Sequence, residues 1–204
     1  MRNNKELIKN VIEKGYLKSD RIIKAFYEID RIDFVSDEYK DKAYYDTALP
    51  IGFGQTISQP STVAFMLELL EPEREMKILD LGSGSGYTTA LLAKIAGKKG
   101  EVIGIERIKG LVERAKENLA KYDFKNLKIK LSEKRLGLPK QTFDRILVSA
   151  AAEEIPNELF DQLKKNAKLV IPIKDSIYLI EKDKREKIST EEYYGFSFVP
   201  LVKN

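Results

Sequence analysis

The 204-residue chain contains no cysteine and no histidine. The first absence excludes disulfides, thiolate nucleophiles and cysteine-ligated metals. The second removes Ser-His-Asp triads, imidazole bases and the usual zinc sites. Any chemistry must therefore run on carboxylates, lysines, hydroxyls and backbone dipoles, with no metal expected. Also missing is any run of the roughly 18 uncharged apolar residues that a membrane span needs. The polar start, Met1-Arg2-Asn3-Asn4-Lys5-Glu6, lacks the apolar core of a signal peptide, so a cytoplasmic location without membrane contact is expected. The net charge is +4, but lysines and glutamates interleave along the chain. No stripe of one sign marks a nucleic-acid surface, and none is expected to bind.

What is present reads as one compact domain spanning residues 1–204, with 43% apolar and 33% charged residues. Residues 1–48 read as a helical extension. Leu7, Ile8, Val11 and Ile12 share one face, with Gly15 as a stop. Ser19 or Asp20 can cap a second helix carrying Ile22, Ile23, Phe26 and Ile29. A loop follows, ending in residues 49–60, Leu-Pro-Ile-Gly-Phe-Gly-Gln-Thr-Ile-Ser-Gln-Pro, and Pro60 suits the first turn of the next helix.

From residue 76 strand and helix patterns alternate. Strands are expected at 77–81, 101–105, 127–131, 145–149 and 168–173. Helices are expected at 87–95, along Ile108, Leu111, Val112, Ala115 and Leu119, and from Pro156 through Leu159, Phe160 and Leu163. Such a series implies a doubly wound α/β fold with a mostly parallel sheet and helices on both faces. The tail, 176–204, carries β-formers at 176–182 and 193–202 around the charged stretch 183–192, and is expected to form antiparallel strands.

The sharpest motif is Asp80-Leu81-Gly82-Ser83-Gly84-Ser85-Gly86, between an expected strand and helix. Glycines there permit positive φ and let a ligand approach the backbone, and the helix start beyond offers free N–H groups. A dinucleotide fingerprint fails in both registers, because Tyr87 or Thr89 stands where its last glycine belongs. A phosphate loop of the Walker type is absent. At the end of the next strand, Glu106 can accept two ribose hydroxyls. Its alternative is a solvated residue that merely opens a helix.

The G-x-G-x-G spacing after an acidic strand end resembles motif I of S-adenosylmethionine (SAM)-dependent methyltransferases. That resemblance implies a seven-stranded Rossmann-like fold with SAM as cofactor and S-adenosylhomocysteine (SAH) as product. It places Asp80, Gly82, Ser83, Gly84, Gly86, Glu106 and Arg107 at the cofactor, within a core of 61–175. Glu133, in Ser132-Glu133-Lys134, stands where related enzymes hold the adenine amino group; a plain surface charge run is the alternative. After the fourth core strand, Val148-Ser149-Ala150-Ala151-Ala152 replaces the Asn/Asp-Pro-Pro-aromatic motif of amino-methylating nucleic-acid enzymes.

Residues 49–60 are similar to the hallmark stretch of protein-L-isoaspartate O-methyltransferases. Asp30-Arg31-Ile32-Asp33-Phe34-Val35, Ile105-Glu106-Arg107, residues 144–152 with Ile155-Pro156, and Phe198-Val199-Pro200-Leu201 follow in that family's order. The resemblance implies methylation of the free α-carboxylate of isoaspartyl residues in proteins and peptides, by a monomer. It implies Ser58 beside the transferring methyl, Thr56, Ile57 and Gln59 around it, and Val199, Pro200 and Leu201 along the peptide. Read without the family, Thr56, Ser58 and Gln59 would simply cap the helix at Pro60. Three departures stand out: Ser132-Glu133-Lys134 for Gly-Asp-Gly, Lys165-Asn166-Ala167 for Pro-Gly-Gly, and no aromatic residue near Leu138. Alternatives within this reading are another carboxylate or small-molecule acceptor, or a SAM- or peptide-binding chain without turnover.

Overall fold

The computed structural model describes residues 3–133 and 135–202; Lys134, in the expected adenine segment, lies outside the described residues. Helix α1 (Asn4–Glu13) buries Leu7, Ile8 and Val11. Its N-terminus is closed by Asn3, whose side-chain oxygen accepts the Glu6 N–H at 3.0 Å. The chain leaves it through Gly15 at φ 77°, the expected stop. Helix α2 (Asp20–Glu28) turns Ile22, Ala25 and Phe26 inward. Ser19 holds its N-cap position, but the hydroxyl donates to Glu68 at 2.5 Å rather than capping the helix. Two short 3-10 helices, Arg31–Phe34 and Asp37–Lys42, lead onward.

Part of the loop expected at 49–60 is a hairpin of β1 (Leu49–Gly52) and β2 (Gln55–Ile57). It turns on Phe53 (φ 55°) and Gly54 (φ 69°). Two successive positive φ values match the twist of antiparallel strands, which a hydrophobicity pattern does not report. Helix α3 (Pro60–Leu70) follows with Pro60 in its first turn.

The core then runs β3 (Lys77–Leu81), α4 (Tyr87–Ala96), β4 (Glu101–Glu106), α5 (Lys109–Leu119), β5 (Leu127–Leu131), β6 (Phe143–Val148), β7 (Leu163–Ile173), β8 (Ser176–Lys182) and β9 (Ile188–Tyr194). The seven-stranded sheet has the order β5-β4-β3-β6-β7-β8-β9. Its first five strands are parallel, and β8 and β9 are added antiparallel. This is the expected mostly parallel Rossmann-like sheet with an antiparallel tail.

Alternate residues of β3, β4, β6 and β7 serve two apolar layers. Ile78, Val102, Leu147 and Val170 pack under the α-helices, joined by Phe26 and Phe34 of the N-terminal extension. Leu79, Ile103, Ile146 and Leu169 pack on the other face against Leu159 and Phe160. That second face is covered in part by a 3-10 helix, Asn157–Gln162, where a full helix through Leu163 was expected. Leu163 instead opens β7, because its backbone pairs with Phe143 of β6. Asn166 adopts φ 57° in that strand, the left-handed geometry asparagine tolerates. The last strand also differs: β9 occupies much of the charged stretch rather than 193–202. Its side chains are mostly exposed, so charges at its positions face water while its backbone pairs with β8. Among the described residues no helix is long and apolar enough to cross a membrane.

Candidate active site

The carboxyl ends of β3, β4 and β6 open toward one edge of the sheet, where ligands of open α/β sheets bind. Gly82, Gly84 and Gly86 all take positive φ (79°, 52° and 90°). A side chain at Gly86 is disfavoured twice, since a Cβ there would also lie a tight 3.2 Å from Leu119 of α5. The Gly82 and Ser83 N–H groups donate to the Ile105 carbonyl at 2.8 and 3.1 Å. Glu106 accepts from Gly84 N–H at 3.0 Å with one oxygen and from Ile108 N–H at 2.9 Å with the other. It is buried, not a solvated helix opener. Each carboxylate oxygen keeps a further lone pair, so the clamp leaves capacity for ligand hydroxyls.

Asp80 is wholly buried and lies under the turn rather than among the residues lining the clefts. One oxygen accepts the hydroxyls of Thr89 (2.5 Å) and Thr88 (3.1 Å), which fastens the first turn of α4. The other oxygen has no partner among the described residues. Burial pushes its pKa up to about 6; the two threonine hydroxyls oppose the rise, and Glu106 adds to it.

Three adjoining clefts surround the turn. The first, about 610 Å³, is walled by Gln55 and Thr56 of β2, the glycine turn, Glu106, Arg107 and residues 199–202. The second, about 330 Å³, lies over the start of α4 and includes Ile57, Ser58, Ser83, Ser85 and Thr88. The third, about 920 Å³, runs from Ser58, Gln59 and Thr62 to residues 195–199. Thr56 and Ser149 border all three, and Ser58 borders the second and third. Pro200 forms an isolated parallel bridge with Ala151: Val199 accepts from Ala151 N–H at 2.8 Å, and Leu201 N–H donates to Ala151 at 2.7 Å.

The structure thus gathers Thr56, Ile57, Ser58, Gln59, Gly82, Ser83, Gly84, Glu106, Arg107, Val199, Pro200 and Leu201 around connected clefts. Gly86 shapes the turn from outside the lining. Glu133 is exposed and outside the lining of the first cleft, where Ser132 and Leu136 stand instead. Sequence reasoning missed Gln55, Leu136 and Ser149. Ser149 lies within the 144–152 match without a role of its own there, and its place at the junction follows from β6 lying beside β3. The capping alternative for residues 56–59 is also resolved. Gln59 makes no side-chain cap, and Asp46 takes the Ser61 N–H at 2.9 Å.

The residues present fit a nucleoside joined to a small charged group. Glu106 at the strand end can take ribose hydroxyls. The N–H groups of Tyr87 and Thr88, in the first turn of α4, have no intrahelical acceptor. The buried Ser83 hydroxyl beside them has no partner among the described residues. A Rossmann-like sheet with this glycine turn and these clefts defines a SAM-dependent methyltransferase.

Comparison with known proteins narrows the class. The family model described as protein-L-isoaspartate(D-aspartate) O-methyltransferase matches residues 2–204. A protein-L-isoaspartate O-methyltransferase of Pyrococcus horikoshii is 42% identical over 205 residues, covering 97% of this chain and 92% of that one. Its counterpart in Methanopyrus kandleri is 39% identical over 207 residues, covering 98% and 92%. A Plasmodium falciparum structure described as a protein-L-isoaspartate O-methyltransferase in complex with SAH superposes with a TM-score of 0.89. It is 30% identical, and 100% of each chain is covered. The chain belongs to the protein-L-isoaspartate O-methyltransferase family.

Proposed function

We propose that this chain transfers a methyl group from SAM to the free α-carboxylate of L-isoaspartyl residues in damaged proteins and peptides. One observation carries the reading. The β1–β2 hairpin and its exit set Thr56 and Ser58, whose hydroxyls make no hydrogen bond among the described residues, where the cofactor clefts meet the third cleft. SAM, when bound, supplies a methyl group activated by its sulfonium charge.

An acceptor carboxylate is ionised at neutral pH, so it attacks without a general base, and a chain lacking histidine loses nothing. Ser58 would donate a hydrogen bond that holds one acceptor oxygen and leaves the other facing the methyl group that bound SAM would supply. Ile57, buried at 4% exposure, and Val63 present apolar surface there and help exclude water. Val199, Pro200 and Leu201 line the peptide, with the Pro200 carbonyl on the edge opposite Ala151. Glu106 would hold the ribose, and the methyl ester then closes, by attack of the adjacent peptide nitrogen with loss of methanol, to a succinimide that water opens partly to aspartate. We read the chain as a cytoplasmic monomer without nucleic-acid partners.

The test is transfer of labelled methyl to paired peptides that differ only in isoaspartate or aspartate at one position. Base-labile label in the isoaspartyl peptide alone supports the reading, and equal or absent label defeats it. Ser58→Ala is expected to lower kcat/KM by about 10- to 100-fold, the cost of one hydrogen bond to a charged group. Its SAH affinity should hold within about two-fold on the same scale.

A further inference from the structure

Arg31 is among the largest wholly buried side chains of the molecule. Its guanidinium donates only to backbone carbonyls: Ala43 (2.6 Å) and Tyr45 (3.4 Å) from one nitrogen, Thr47 (2.9 Å) and Ser58 (3.2 Å) from the other. Among the described residues no carboxylate pairs with it. Asp46, whose charge reaches Arg31, is occupied by Lys14 at 2.8 Å and by Ser61 N–H. Burial draws the guanidinium down to about 10, so it stays charged at neutral pH.

A buried cation held by carbonyl dipoles alone is a costly arrangement. Its last acceptor is the backbone of Ser58 itself. Ser58 also lies just ahead of the first turn of α3, the positive end of that helix. Among the described residues no charged side chain lines the second and third clefts that meet at Ser58. Among the described residues, the charged side chain that touches Ser58 is Arg31, and it acts from behind the loop through a low-dielectric layer where it is poorly screened.

We propose that Arg31 is a positioning residue that fixes the Ser58 backbone and sets a positive potential beneath it, so that the site selects an anionic carboxylate over its neutral isostere. The proposal rests on the isoaspartyl reading above. It predicts discrimination without any direct ion pair to the substrate. Ser58 supplies the contact and Arg31 supplies the charge.

The experiment compares an isoaspartyl peptide with the same peptide bearing a carboxamide in place of the α-carboxylate, both measured as ligands of the full chain with SAH bound. Wild type is expected to prefer the carboxylate by about 10-fold or more. Arg31→Gln should cut that preference at least about five-fold, with SAH affinity and cooperative unfolding retained. Arg31→Lys, which keeps the charge and loses the fork, should restore the preference while raising KM for the isoaspartyl peptide. A preference unchanged in an Arg31→Gln protein that still binds SAH overturns the proposal. If Arg31→Gln does not fold, an unchanged KM in Arg31→Lys overturns it. A wild-type preference below about three-fold overturns it without any variant. Wild type that methylates isoaspartyl peptide yet shows no dependence on Arg31 defeats this inference alone. Wild type that takes no isoaspartyl peptide defeats the function as well.

Discussion

Asp80 gives the glycine turn a pH dependence that can be measured. The carboxyl is wholly buried, and its pKa is about 6 in the folded chain against 3.8 for the free side chain. Between those values the native state holds a proton that the unfolded chain has released. Stability attributable to this group therefore falls as pH rises from about 4 to about 6, then stays level. A rise of roughly two units, at 1.36 kcal/mol per unit, amounts to about 3 kcal/mol.

Asp80→Asn removes the ionisation and keeps an oxygen to accept the Thr88 and Thr89 hydroxyls. Its amide replaces an oxygen that has no partner, which adds a cost independent of pH. The stability difference, variant minus wild type, should climb by about 3 kcal/mol between pH 4 and pH 7. For a chain of this size that is roughly 6–12 °C in Tm. Urea unfolding of both ligand-free proteins at half-unit pH steps measures it. A difference that stays flat across the interval refutes the argument, because desolvation would then not control this carboxyl.

Glu106→Ala should weaken SAH binding by about 10-fold or more, since it removes both the ribose acceptor and the clamp on Gly84 and Ile108; calorimetry showing a change under about two-fold would contradict that role. Asp46→Ala removes the acceptor at the start of α3 and should cost about 1–2 kcal/mol at pH 7. Burial opposes ionisation of Asp46, but Lys14 and the Ser61 N–H hold its pKa below the usual value. Its stabilisation is thus present above about pH 4 and lost as pH falls further, so the gap between variant and wild type should narrow in acid unfolding. Phe143→Ala, at a wholly buried ring in the second layer, should cost about 3–5 kcal/mol in chemical unfolding; a loss under about 1 kcal/mol would mean that face repacks freely.

The sequence by itself determined the alternation of strand and helix, the cofactor turn and the family. Those features are local: Ile78 and Leu79 next to the glycines, and the 3.6-residue spacing of α5, are written in consecutive residues. It also supplied twelve of the residues that line the clefts, Ser58 and Glu106 among them, because they sit inside contiguous motifs. Tertiary structure decided the rest through pairing and burial. Leu163 became a strand residue because β6 lay beside it, and β9 formed on charged residues because β8 offered its edge. Asp80 faced α4 rather than the cleft, since strand alternation turned it inward, and Glu133 was left outside the lining. Ser149 reached the junction of three clefts through the neighbouring strands β3 and β6. Arg31 came to lie behind Ser58 because its guanidinium joins the carbonyls of Ala43, Tyr45 and Thr47 to that of Ser58 across the hairpin between them, which no local pattern records.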